Sequence, residues 1–143
     1  MKPDLSRLLN PQSLAVIGGG AWGEAVVQQA EAFGFAGDIW PIHPSKETLA
    51  GRRTFRGVPD LPAAPDAAFI GINRDATIGA TERLTRAGAG GAVCFASGFA
   101  EAQGEDVTAV DAQHRLRVAA KDMPVLGPNC YGFITALDRA IVW

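Results

Sequence analysis

Five short apolar runs punctuate the chain: Leu14-Ala15-Val16-Ile17, Ile39-Trp40-Pro41-Ile42, Ala67 to Ile72, Ala92-Val93-Cys94-Phe95 and Pro124-Val125-Leu126. None alternates with polar residues, the character of strands buried on both faces. Between the runs, apolar residues recur at helical spacing. About residues 22–33, Val26, Ala30 and Phe33 fall at i, i+4 and i+7. About residues 75–87, Ala80, Leu84 and Ala87 do the same, with Asp75 read as N-cap and Gly88 as the stop. A third helix, about 105–121, carries Ala109, Ala112, Leu116 and Ala119 on one stripe. Strand, helix, strand in succession predicts an α/β fold: a Rossmann-like, doubly wound parallel sheet with helices on both faces. The less regular stretch 45–65 reads as a short helix at 46–50 and then a loop towards Leu61. Leu5 to Asn10 reads as a turn on the sheet's edge.

Composition narrows this picture. A length of 143 residues, 48% hydrophobic and 20% charged, describes one ordinary globular domain over residues 1–143. A net charge of −2 removes the bulk electrostatic case for a nucleic-acid partner. No apolar run approaches the roughly 18 residues of a membrane span, and Met1-Lys2-Pro3-Asp4 opens no signal core, so no membrane role is expected. Cys94 and Cys130 match no zinc spacing, which predicts free thiols, no metal and a reducing cytoplasm.

The chemistry lies in the glycines. The first strand runs into Gly18-Gly19-Gly20-Ala21-Trp22-Gly23, a G-x-G-x-x-G that opens a helix. In that context the first glycine permits a tight turn, the second lets backbone approach a pyrophosphate, and the third lets helix pack closely on strand. The helix start adds unpaired N–H groups and a partial positive charge. An NAD site wants a carboxylate at the C-terminal end of the second strand. Asp38 lies at the expected sequence distance but precedes the run Ile39–Ile42, so it sits roughly 13 Å from the crevice at ~3.3 Å per residue. The correct end holds His43, Pro44, Ser45 and Lys46, which suit a phosphate. NAD is disfavoured; a ligand with a phosphorylated ribose, coenzyme A or NADP, is favoured.

The order of segments carries a resemblance. Val16-Ile17-Gly18 with its glycine loop is followed by Ile39 to Pro44, Asp60-Leu61-Pro62 and Asp66 to Ile72. Gly98-Phe99-Ala100-Glu101 and Gly127-Pro128-Asn129-Cys130-Tyr131-Gly132 come next. From about Leu5 to Thr135 this resembles the CoA-binding domain of the ADP-forming acyl-CoA synthetases, related to the alpha subunit of succinyl-CoA ligase. The resemblance implies CoA held across the C-terminal strand ends. It also implies partner domains or subunits that supply a phosphorylated histidine and an ATP-grasp unit. By position, Gly18, Gly19, Gly20, Ala21, Trp22 and Gly23 would cradle the pyrophosphate, and His43, Pro44, Ser45 and Lys46 would meet the adenosine end. Ile72, Asn73 and Arg74 with Ala96, Ser97 and Gly98 would line the pantetheine path. Gly127 to Cys130 would lie at the thiol end, where the other domain docks.

The chain departs from the family pattern in three places. Its first loop is compact and lacks the usual serine; His43 replaces a common Asn; Asn73-Arg74 replaces the usual Pro-Ala. Its histidines, His43 and His114, do not match the phosphohistidine, so the chain reads as a fragment of a larger ligase. The apolar ending Ile141-Val142-Trp143 reads as a cut at a domain boundary. Lys46 is weighed as a phosphate ligand, with Arg52 or Arg53 as alternatives for the 3′-phosphate. Asn129 would aim its amide into the crevice, Ser97 and Gly98 would offer a hydroxyl and an N–H, and Trp22 either covers the ligand or packs on the N-terminal turn. Cys94 reads as a small buried hydrophobe. Two other readings stand beside the ligase: a free-standing CoA-binding or sensing module or part of a protein acetyltransferase, and an NADP-dependent oxidoreductase fragment. Self-association is open.

Overall fold

The computed structural model describes residues 2–143. In chain order it contains α1 (Ser6–Leu9), β1 (Ser13–Ile17), α2 (Ala21–Phe33), β2 (Asp38–Ile42) and the short strands β3 (Thr48–Leu49) and β4 (Arg52–Arg53). A 3₁₀ turn (Val58–Asp60) leads to β5 (Ala67–Ile70), α3 (Arg74–Ala87) and β6 (Ala92–Cys94). After a second 3₁₀ turn (Ala100–Ala102) come α4 (Ala109–Ala120), β7 (Val125–Leu126), β8 (Phe133–Thr135) and β9 (Ala140–Val142).

The main sheet is parallel throughout, in the order β2-β1-β5-β6-β7. The chain leaves β1 for one neighbour and later returns on its other side, so the winding direction switches between β1 and β5. In open α/β sheets ligands bind at such a point, beyond the carboxyl ends of the strands. Strand alternation sorts the core into two layers. Leu14, Val16, Ile39, Phe69 and Val93 face Val26, Val27 and Ala30 of α2, together with Ile141 and Val142 of β9. Ala15, Ile17, Ile42, Ala68 and Ile70 face Ala80 and Leu84 of α3 and Val58. Cys94 and Phe99 extend this second layer onto Ala112 and Leu116 of α4.

The expected fold is present, with four local corrections. The cap of α3 is Asn73, whose side-chain oxygen accepts from the Ala76 N–H at 2.9 Å; Asp75 is already helical. The stop at Gly88 stands, with φ of 79°. Helix α4 begins at Ala109 because Asp106 turns the chain, accepting from the Thr108 N–H at 2.8 Å. Residues 46–50 are not helical: β3 and β4 form an antiparallel hairpin whose two-residue turn, Ala50-Gly51, has positive φ at both positions. Alanine is rare in that conformation, so the turn lacks the usual Asn-Gly signal. Helix α1 packs below the central strands, not at an edge, with Leu8 fully buried where a side chain on Gly91 would stand. Beyond what the apolar runs predict, β8 and β9 form a hairpin, and Ile141 and Val142, 6% and 1% exposed, close the core over α2.

The base of the sheet is held by a charged clasp. Arg7 Nε donates to Asp66 Oδ1 at 2.6 Å and Nη1 to the Gly88 carbonyl at 2.8 Å, while Asp66 Oδ2 accepts from the Gln12 N–H at 2.8 Å. Arg7 is almost half exposed, so solvent screening trims the value of the pair. Arg7→Ala should lower unfolding free energy by about 1 kcal/mol. Denaturant titration of Arg7→Ala, Asp66→Ala and the double variant checks this: additive losses would show that the two side chains act independently.

Candidate functional site

The glycine loop sits at the switch point. Gly18 has φ of 127°, and a side chain there would lie 2.5 Å from the Gly71 carbonyl oxygen on the next strand's loop. Gly23, in the first turn of α2, approaches the Gly18 carbonyl so closely that a Cβ would stand 2.2 Å from its oxygen. These contacts pull the start of α2 down onto the end of β1. Gly20 is the N-cap, with no side-chain cap on the helix. Among the described residues no protein group accepts from the N–H groups of Ala21, Trp22 or Gly23. That leaves donors and the positive end of the helix dipole facing the crevice.

The turn after β2 adds a cation and an imidazole. His43 Nδ1 accepts from the N–H groups of Ser45 and Lys46, at 3.1 and 2.8 Å. With Nδ1 acting as acceptor, the neutral ring carries its proton on Nε2. That edge lies against Gly19, where a Cβ would come within 2.6 Å of Nε2. Lys46 Nζ donates to the Gly19 carbonyl and lies 3.7 Å from Glu24 Oε1, bridging the two loops. An ammonium has three N–H donors, so capacity remains for a ligand. Arg56 braces the turn from outside, donating from Nη1 to the Pro44 carbonyl at 3.1 Å. The β3–β4 reversal brings Arg56 there, and a chain read as helical at 46–50 gives no hint of it. Arg52 instead pairs with Glu31 at 2.6 Å, and Arg53 lies on the same hairpin.

Beyond β5, β6 and β7 a cleft of about 580 Å³ is lined by Gly71, Ile72, Asn73, Arg74, Phe95, Ala96, Ser97, Asn129 and Tyr131. The structure therefore brings Ile72, Asn73, Arg74, Ser97 and Asn129 into one hollow, as their order predicts. Arg74 is not a free cation, and 23% of its side chain stays exposed. Its Nη1 donates to the Gly98 carbonyl at 2.8 Å and to Asp106 at 2.6 Å, and its Nη2 to Thr108 Oγ1 at 3.1 Å. Hydrogen bonds from Thr108, then from Arg74, hold the Asp106 carboxyl at about 2, below its ordinary 3.8. The Gly98 N–H donates to Glu101 at 2.7 Å, which leaves the Ser97 hydroxyl as that loop's exposed donor. Asn129 adopts φ of 54° and its N–H donates to the Ala96 carbonyl at 2.9 Å.

Trp22, about half exposed, packs against two other rings at the strand ends. Its ring meets Phe95 at 4.9 Å and Tyr131 at 5.8 Å between centroids. Two larger hollows lie elsewhere, between α3 and α4 and beneath the sheet near Arg7 and Met123, away from the strand ends.

The two thiols differ. Burial pushes Cys94 up to about 12, whereas Cys130 lies half-buried after β7. Raised above its ordinary 9.0, the Cys94 thiol favours the folded state up to about pH 9, and that contribution fades as the pH rises towards 12. Native chain treated with an alkylating reagent at pH 8 should label at Cys130 alone, and unfolded chain at both. Peptide mass spectrometry reads this directly; equal native labelling would contradict the burial.

Among the described residues no helix is long and apolar enough to cross a membrane. The chain is 34% identical over 140 residues to a trans-feruloyl-CoA synthase from an unknown prokaryotic organism, a match covering 94% of this chain and 20% of that protein. It is 31% identical over 142 residues to the ADP-forming 4-hydroxybutyrate–CoA ligase of Nitrosopumilus maritimus, covering 96% and 20% respectively. The chain thus spans about a fifth of the length of these curated relatives. Among solved structures, the apo form of the dinucleotide-forming acetyl-coenzyme A synthetase 1 of Ca. Korarchaeum cryptofilum superposes with a TM-score of 0.82. Identity there is 31%, over 97% of this chain and 31% of that one. Residues 12–136 match the family described as CoA binding domain. With the glycine loop, the Lys46 turn and the cleft all falling inside those bounds, the chain belongs to the CoA-binding domain family.

Proposed function

We propose that this domain serves an ADP-forming acyl-CoA synthetase by binding CoA and orienting its thiol for attack on an acyl phosphate. In that step sulfur bonds to the acyl carbon, the bond from that carbon to the phosphate oxygen breaks, and the thiol's proton departs with the phosphate. The observation that carries the reading is the pairing, at one switch point, of unpartnered α2 amides and Lys46 with a cleft leading away across β5, β6 and β7. Anionic phosphates suit the first half, and the uncharged pantetheine arm suits the second. Holding a nucleophile in place lowers a barrier by several kcal/mol, so binding of this kind is catalytic work.

Phosphoryl chemistry belongs to partner domains or subunits in this reading. His114 is exposed on α4, and His43 has Nδ1 committed to two backbone N–H groups. Its free cysteines fit a cytoplasmic ligase.

Calorimetric titration of the chain with CoA, dephospho-CoA, NAD and NADP tests this. CoA should bind, and both loss of the 3′-phosphate and Lys46→Ala should weaken it about tenfold, the value of one charge-assisted contact. Binding of NADP with CoA ignored would replace the ligase reading with an oxidoreductase one.

A further inference from the structure

The turn after β2 is built around one ring nitrogen. His43 is half-buried, while Pro44, Ser45, Lys46 and Glu47 behind it are exposed, so little packing shapes this segment. The His43 backbone is anchored instead: its N–H donates to the Phe55 carbonyl at 2.9 Å, and the Phe55 N–H to the Pro41 carbonyl at 2.8 Å. From that anchor Nδ1 accepts from the N–H groups of Ser45 and Lys46, two and three residues on. An Asn or Asp oxygen folds a turn in the same way, accepting from backbone just ahead of it. Imidazole differs in one respect: as a class it takes up a proton between about pH 5 and 8, and an amide oxygen does not.

A proton on Nδ1 would turn the acceptor into a third N–H pointing at two others. Both hydrogen bonds would be lost at once. The ring has no room to retreat towards the glycine loop, where a side chain on Gly19 would stand 2.2 Å from its Cδ2. Lys46 depends on this path of the chain, because its Nζ reaches back to the Gly19 carbonyl and its own carbonyl is held by Thr54 Oγ1. The charged groups around the ring are Lys46 on its own turn, Arg56 just beyond Phe55, and Glu24 on α2, 3.7 Å from the Lys46 ammonium. A phosphate arriving beside them would attract a protonated ring, so charge alone favours tighter binding in acid. Near the surface that attraction is screened. Two hydrogen bonds and the placement of Lys46 are lost together, so geometry prevails over charge.

We propose that His43 is the positioning residue of the Lys46 turn and acts only as the neutral imidazole, so that acid releases the turn and weakens the grip on phosphate. This rests on the CoA reading above and adds a regulation to that site. The test compares wild type with His43→Asn, whose amide oxygen accepts the same two N–H groups without titrating, and with His43→Ala, which offers no acceptor. Thermal melts at each pH confirm that every chain is folded. Calorimetry gives the CoA affinity at about pH 8 and about pH 5.5. Proton NMR follows the Ser45 and Lys46 amides of the unliganded chains over the same range. At the higher pH His43→Ala should bind CoA about tenfold more weakly than wild type, the loss of one charge-assisted contact, and His43→Asn should recover most of it. On acidification the wild-type affinity should fall about tenfold further than that of His43→Asn. That ratio cancels the titration of the ligand's phosphates, of Glu24 and of His114, which are common to both. In wild type the two amides should shift together with the His43 ring signals, and in His43→Asn they should hold still. Equal pH profiles in the two proteins would overturn the proposal. So would a wild-type affinity that rises in acid relative to His43→Asn, which would make the imidazolium a direct phosphate ligand. Ring signals that titrate while both amides stay fixed would overturn it too. Absence of CoA binding by wild type at either pH would defeat the CoA reading and the ligand half of the proposal with it, while the amides still decide whether His43 holds the turn.

Discussion

Gly23→Ala should destabilise the domain, although alanine is the better helix former by about 1 kcal/mol. Gly23 lies in the first turn of α2, and a Cβ there would stand 2.2 Å from the Gly18 carbonyl oxygen. That oxygen belongs to backbone that is itself held, since Gly18 has φ of 127° and abuts the Gly71 carbonyl. Neither side can yield without lifting α2 off β1. Overpacking of this kind costs roughly 1–3 kcal/mol and occasionally more, so steric repulsion outweighs propensity and the net change is a loss of about 2 kcal/mol. Denaturant melts read the loss, and, on the proposed CoA reading, calorimetry should show weakened CoA binding in the same variant, because the lifted helix would carry its free amides away. A more stable Gly23→Ala domain would mean that the loop gives way easily and the close approach is incidental.

The second large effect belongs to the β8–β9 hairpin. Val142 is 1% exposed in the layer formed with α2, whereas Ile134, on the neighbouring strand, is 48% exposed. Val142→Asp places a carboxylate in that layer, where it would be buried and unpaired. The loss should exceed about 4 kcal/mol, enough to unfold a domain of ordinary stability. Ile134→Asp, the same chemical change on the outer side, should stay within about 0.5 kcal/mol. Circular dichroism and denaturant melts on both variants separate the two cases. A folded Val142→Asp domain would show that the hairpin is an appendage of the core.

The parallel sheet was legible because its central strands β1, β5 and β6 are buried on both faces, so apolar runs mark them without alternation. The stripe Ala109, Ala112, Leu116 and Ala119 was equally plain, and all four are buried. Phe33 and Ala87 misled at the ends of their stripes: both lie on the last turn of a helix that runs past the sheet into solvent. Val27 and Thr81 fill the core in a way that i, i+4, i+7 counting misses. The hairpin at 48–53 escaped because its turn uses Ala50 in a left-handed conformation. The hairpin at 133–142 escaped because its burial depends on α2, more than a hundred residues earlier in the chain.

At the site, residue order alone foretold which loops converge, since a parallel sheet places every strand's C-terminal end on one side. Which donors stay free was not legible. Arg74 looked like an available cation, and only the fold shows it held by a carbonyl and a carboxylate from a later loop. The aromatic corner was likewise invisible, because Trp22, Phe95 and Tyr131 come from three separate connections.

One hydrogen bond ties segments 126 residues apart: Thr135 Oγ1, on β8, donates to the Leu9 carbonyl at the end of α1, at 3.3 Å. Leu8 shares its buried layer with Ile141 and Val142. The first helix and the last hairpin thus form two sides of one seam across the sheet. Loosening either one uncovers the other, so the two should open together as a single cooperative unit. Contacts of such sequence separation slow folding in general, because the entropy of closing a long loop is lost before they form.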